Sequence, residues 1–188
     1  MNLVHLLPYY APAWGFGGVV RAAHGLTAAL AARGHDVTVI TTDAGDGGAR
    51  LSPAEAVIDG VRVFRCRNAW PALRRWNLSS PLGMRDVLEA ALRRADRLHV
   101  HEFRTVENLI ALPLVQRSRV PVVLSPHGTL PYAAGRGAVK RGWDAVLGRW
   151  AARRIDQVVA LTADEVDDAR RLWARLGVPL SMERISVV

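Results

Sequence analysis

The sequence predicts an α/β fold: a single Rossmann-like, doubly wound parallel sheet flanked by helices. Two observations carry that reading. Short apolar, β-branched runs alternate with helical patterns along all 188 residues, and strands joined by helical crossovers pair in parallel. The clearest run, Val120 to Leu124, stops in Ser125-Pro126-His127-Gly128. Such a run suits a strand buried on both faces. The proline and glycine beyond it mark the carboxyl end, where open α/β sheets gather ligands. The length fits about one domain, and no repeat or linker divides it, so one domain is expected over residues 1–188.

Residues Leu3 to Leu7 form the first strand, followed by the loop PYYAPAWGFGG. A helix follows, with Val19, Ala22, Ala23, Leu26, Ala29 and Leu30 at helical spacing and Gly34 as its cap. DVTVITT is the second strand, and a polar, Gly-rich loop leads to VRVFRC, the third. In SSPLGMRDVLEAALRRA, Ser80 has the character of an N-cap and Pro81 of a first helical residue. RLHVH is a strand, and VENLIALPLVQRS a helix interrupted near Pro113. After the strand ending at Ser125, a helix runs through Val139, Trp143, Val146, Leu147 and Trp150. DQVVAL is a strand, TADEVDDARRLWARLG a helix closed by Gly177, and RISVV the last strand.

Half the residues are hydrophobic and 22% are charged, which predicts a globular chain. The single cysteine, Cys66, rules out an internal disulfide and suits a reducing compartment. MNLVHLLPYY carries no basic leader, and no apolar stretch is long enough to span a bilayer. The expected location is cytoplasmic, at most peripheral on the inner membrane face. The net charge of +8 comes almost wholly from arginine, Lys140 being the only lysine. A basic chain favours anionic partners such as a phosphorylated substrate or an anionic membrane face. Nucleic acid ranks last, because the arginines are scattered and form no known binding module.

Four features bear on chemistry. Gly15, Gly17 and Gly18 lie between the first strand and helix, where bare backbone amides attract phosphate. The spacing is a poor dinucleotide fingerprint, and no P-loop Gly-Lys-Ser/Thr is present. His99 and His101 alternate on a strand beside Glu102, yet no recognised metal-ligand set is completed. His101 can line the crevice, whereas His99 reads as a satisfied core residue; His127, at a strand end before a glycine, is the better functional candidate. Thr162 and Glu165 have capping-box spacing. Finally, Arg65, Arg67, Arg74 and Arg75, with Trp70 and Trp76, suit either a solvated loop or contact with a phospholipid or glycan. Serine hydrolysis finds no Gly-x-Ser-x-Gly elbow.

In order along the chain, GGVVRAAHGLTAALAARGHDVTVITT, DRLHVHEF, VPVVLSPHGTLP, a basic helix with KRGW, and DQVVALTADE resemble the amino-terminal domain of family 4 glycosyltransferases of the GT-B fold. That resemblance implies one half of a two-domain enzyme. This half mainly receives the acceptor, and a carboxyl-terminal donor-binding domain is absent. It implies His127 as the catalytic residue beside the transferred sugar, with Gly17 and Gly18 at the donor diphosphate. Arg21, His101, Gly128 and Thr129 are implied cleft or acceptor contacts. The implied reaction is retaining, uses a nucleotide sugar as donor, takes a glycan, lipid-linked or small-molecule acceptor, and needs no metal or other cofactor. The isolated half is expected to be inactive, and to self-associate through surface a second domain would shield, with Trp143 or Trp150 contributing. Acceptor choice falls to the loops at 43–59, 67–80 and 129–138. The different-class alternative is a noncatalytic Rossmann-type module that binds a phosphorylated ligand or a partner protein.

Overall fold

The computed structural model describes residues 1–70, 72–73, 78–133 and 135–188. Strands β1 (Asn2–Leu6), β2 (Asp36–Thr42), β4 (Val61–Asn68), β6 (Arg97–His101), β7 (Val122–Ser125), β8 (Gln157–Ala160) and β9 (Ile185–Val187) pair in parallel. Their order across the sheet, with β3 (Glu55–Ile58) at the edge, is β3-β4-β2-β1-β6-β7-β8-β9. The chain therefore winds outward from β1 to β4, then returns to β6 on the other side of β1. The reversal places a topological switch point between β1 and β6, at the carboxyl ends of the strands.

The two faces are covered differently. Val4, Leu6, Leu98, Val100, Val122, Leu124 and Val158 pack in the main core. That core also holds residues of α2 (Met84–Leu92), α3 (Val106–Ser118), α5 (Arg149–Ala152) and α6 (Ala163–Arg175). Helix α1 (Gly18–Ala32) packs through Ala23, Leu30 and Ala31 on Val37, Val39, Val61 and Val63, on the opposite face. Because side chains alternate along a strand, His5 falls in the row of Val39 and His99, on the α1 face.

Several elements differ from the sequence reading. The sheet is mixed, not wholly parallel: β3 joins β4 as an antiparallel hairpin across Asp59–Gly60, both at positive φ, as a tight primed turn requires. Ser80 and Pro81 do not start a helix. Pro81–Leu82 form a short strand, β5, antiparallel to β4, and α2 begins after Gly83. The Ser80 hydroxyl is engaged by Asn68 instead. Helix α3 runs unbroken through Pro113. The helix expected around Trp143 is α4 (Gly137–Trp143), which passes through a five-residue π turn (Asp144–Gly148) into α5. Trp143 and Trp150 are half-buried against the main core, which removes much of their surface from any self-association.

Candidate functional site

Parallel pairing brings the loops after β1, β6 and β7 to one edge. The loop after β1 is fixed by its aromatics: Tyr9 stacks on Phe16 with ring centres 3.7 Å apart, and the buried Tyr10 hydroxyl meets Thr27 Oγ1 at 2.7 Å. The loop ends at Gly17, the N-cap of α1, with φ 95° and ψ −152°. Side-chain-bearing residues are essentially excluded from that region. A Cβ at Gly17 or Gly18 would meet nothing within 4 Å, so the backbone faces open space. The Gly17 N–H donates to the Trp14 carbonyl at 3.2 Å. The amides open to a ligand are therefore those of the first turn, from Gly18 on, which has no side-chain cap. Arg21 is exposed, its guanidinium 5.7 Å from the centre of the Trp14 ring.

The carboxyl end of β7 leads into a tight turn. His127 has φ 54° and Gly128 φ 70°, and the Thr129 N–H donates to the Pro126 carbonyl at 3.2 Å. Positive φ at both central positions is the signature of a primed turn, costly for histidine. The surroundings hold it there. Glu165 Oε1 accepts from the Gly128 N–H and Oε2 from the Leu161 N–H, while the Thr129 hydroxyl donates to the Pro126 carbonyl at 2.7 Å. Thr162 caps α6 by accepting from the Glu165 N–H, but the Glu165 carboxylate does not close the box on the Thr162 N–H; it bonds Leu161 and clamps the His127 turn instead, a role the spacing did not reveal. Gly128 is exposed and Thr129 half-buried.

Behind the turn lies a histidine cluster. His101 Nδ1 meets His127 Nε2 at 2.8 Å, and His101 Nε2 meets His5 Nδ1 at 3.1 Å. His99 is half-buried and paired with Ser125 Oγ at 2.8 Å. His101 is fully buried, so it reaches the crevice only through His127. Burial holds the rings uncharged, because desolvation disfavours the cation. It pulls His5 down to about 3 and His99 and His101 well below the usual range. Burial also lowers His127, against the opposing charge of Glu165. The Nδ1 atom of His127 is buried with no partner among the described residues.

Next to the turn, a cavity of about 230 Å³ is lined by Glu102, Arg104, Thr105, Thr129, Lys140 and Trp143. Burial raises the Glu102 carboxyl to about 7, and the nearby Glu107 adds to the effect. Arg104 and Asp144 form a buried pair at 2.7 Å, and Arg104 also donates to the carbonyls of Thr129 and Leu130. Neither residue stood out in the sequence. A larger cavity, about 660 Å³, lies at the amino-terminal ends of β1 and β2, lined by Asn2, Leu3 and Asp36, away from these groups.

The arginine and tryptophan stretch divides. Arg65 is buried and donates to the Pro53 carbonyl, so it presents no charge to a surface. Arg67 and Trp70 are exposed, and Arg74, Arg75 and Trp76 lie outside the described residues. No helix among the described residues is long and apolar enough to cross a membrane.

Comparison with known proteins agrees with this architecture. The chain is 29% identical to the glycogen synthase of Mycobacterium tuberculosis over 177 aligned positions, covering 84% of this chain and 41% of that protein. The chain thus spans less than half the length of the curated relatives it matches. Among solved structures, Anabaena Alr3699/HepE in complex with UDP and glucose superposes with a TM-score of 0.61 at 12% identity, over 100% of this chain and 44% of that one. The same protein in complex with UDP gives 0.60 at 13% identity, over 100% and 43%. At such identity the likeness concerns the fold: the mostly parallel sheet is one half of a GT-B glycosyltransferase architecture. The family model for the glycosyl transferase 4-like domain matches residues 17–180, and the chain belongs to that family.

Proposed function

We propose that this chain is the acceptor-side half of a retaining glycosyltransferase that moves a sugar from a nucleoside diphosphate donor. One observation carries the reading: the uncapped first turn of α1 and the His127–Gly128 turn open on the same strand edge, at the switch point. The positive end of a helix dipole favours the charge that develops on a leaving diphosphate. Gly17 shapes the approach, and the amides from Gly18 onward meet the phosphate. His127 stands across the edge, half-buried, and its Nδ1, buried and without a partner among the described residues, is the ring nitrogen a sugar hydroxyl would engage once the turn admits it. Acceptor hydroxyls fit the adjoining cavity, where Glu102, poised near neutrality, accepts or donates a hydrogen bond. Phosphate charge is met here by amides and a dipole, so the proposed chemistry needs no metal. A second α/β domain supplies most donor contacts, and this half alone turns over poorly. The neighbours' complexes with UDP and with UDP and glucose support a nucleotide-sugar donor.

Two glycine variants of the full-length protein test the phosphate site. Gly17→Ala forces a side chain into a Gly-only conformation and costs about 1–3 kcal/mol of stability. Gly18→Ala, at the first helical position with open space around its Cβ, leaves stability unchanged or slightly raised. Its methyl nonetheless obstructs the diphosphate, so the donor KM should rise roughly tenfold, equivalent to about 1.4 kcal/mol. An unchanged KM in a stable Gly18→Ala protein removes the phosphate site from this loop.

A further inference from the structure

The histidine cluster contains more order than one hydrogen bond to a catalytic ring requires. His5 and His101 lie with ring centres 5.4 Å apart and planes 26° from parallel; for His101 and His127 the values are 5.1 Å and 14°. In both pairs the centres are farther apart than the bonded nitrogens, 3.1 and 2.8 Å, by about two ring radii. The rings are therefore joined end to end in nearly one plane. His99 differs: it stacks on His101 at 4.6 Å and 9°, and its Nε2 is engaged by Ser125.

A neutral imidazole has one donor and one acceptor nitrogen. His101 spends both, so its two bonds must run head to tail. Only two arrangements satisfy the chain. In one, His5, His101 and His127 all carry their proton on Nδ1, and the unpartnered Nδ1 of His127 is an N–H donor. In the other, all three carry it on Nε2, and His127 presents a bare Nδ1 lone pair.

We propose that His5, His101 and His127 form one imidazole relay, in which buried His5 and His101 set the tautomer, and so the donor or acceptor character, of the unpartnered Nδ1 of His127. His5 and His101 are positioning residues, since neither faces the crevice. Both bonds stay made while each ring keeps a single proton, so the chain fixes the tautomer of His127 without carrying a proton inward to His5, which burial holds uncharged. The low dielectric that keeps these rings neutral also strengthens and couples the bonds. His5, His99 and His101 bring nitrogens within 4.8 Å of one another, a spacing that invites a metal. Both ring nitrogens of His101 are already engaged along the chain, one as donor and one as acceptor, so coordination would have to break it. The bearing of the relay on catalysis rests on the sugar-transfer reading, whereas its existence is measured without any ligand, so the two fail separately.

The test is ¹⁵N NMR of the 188-residue chain labelled at histidine. The relay predicts that His5, His101 and His127 share one tautomer, with ¹⁵N–¹⁵N coupling across both bonds. His5→Phe should then change the tautomer populations of His127, which it does not touch, while His99→Phe leaves them in place. Different tautomers for His101 and His127, or no coupling across the bonds, overturn the proposal, and both are read in the unmodified chain even if a variant fails to fold. So does a folded His5→Phe chain with unchanged His127 nitrogens, or Zn²⁺ bound by these rings with loss of the chain's N–H signals.

Discussion

His127→Ala in the full-length protein should lower kcat by two to three decades. One well-aimed donor to developing charge is typically worth about 3–4 kcal/mol in the barrier, and the unpartnered Nδ1 of His127 is the ring atom left to supply it. The substitution also costs stability, because His127 Nε2 satisfies the fully buried His101. Stranding a buried nitrogen costs about 1–3 kcal/mol, so a fall in Tm of several degrees should accompany the loss of activity. His127→Asn separates the two effects. Asparagine tolerates positive φ better than most residues and keeps a short polar group at the turn. It should recover stability more fully than rate. Thermal denaturation beside steady-state kinetics decides this, and a wild-type kcat for His127→Ala would take catalysis away from this ring.

Asp144→Ala should be among the most destabilising single changes in the chain. Asp144 is 4% exposed and Arg104 8% in their pair, and Tyr132 adds a hydrogen bond to the same carboxylate at 2.8 Å. Removing the carboxylate leaves a buried guanidinium uncompensated, which costs about 3–5 kcal/mol. For a chain of this size that lowers Tm by on the order of 10 °C. Because Arg104 also holds the carbonyls of Thr129 and Leu130, the loop beyond the His127 turn loosens as well. The double variant Arg104→Met, Asp144→Leu, which removes both charges together, should recover most of the loss. A single-variant cost below about 1 kcal/mol, in the range of a surface pair, would show that the pair is solvated.

The parts of this fold legible in the sequence are those written in local pattern. β-Branched runs ending in Pro or Gly gave the parallel strands, and the glycines before α1 and the Ser-Pro-His-Gly stop gave two sides of the site edge. What escaped depends on long-range pairing. The edge hairpin was missed because Glu55–Ile58 carries only weak alternation, although Asp59–Gly60 is a strong two-residue turn signal. Ser80 and Pro81 have the chemistry of a helix start, but pairing with β4 claimed them first. Arg104 and Asp144 are 40 residues apart, and nothing local marks their union. His5 left a fainter trace. It is the one polar residue inside the apolar run Leu3–Leu7, and a polar ring on a strand buried on both faces needs a partner. The register of β1 on β6 supplies it.

A crystal structure of the full-length protein with a nucleoside diphosphate sugar tests whether the edge shared by the α1 N-terminus and the His127 turn receives the donor. The diphosphate is expected within hydrogen-bond distance of the amides that begin at Gly18, with a sugar hydroxyl on Nδ1 of His127. A donor seated elsewhere, such as the cavity at the amino-terminal ends of β1 and β2, with His127 and Gly18 untouched, would contradict it.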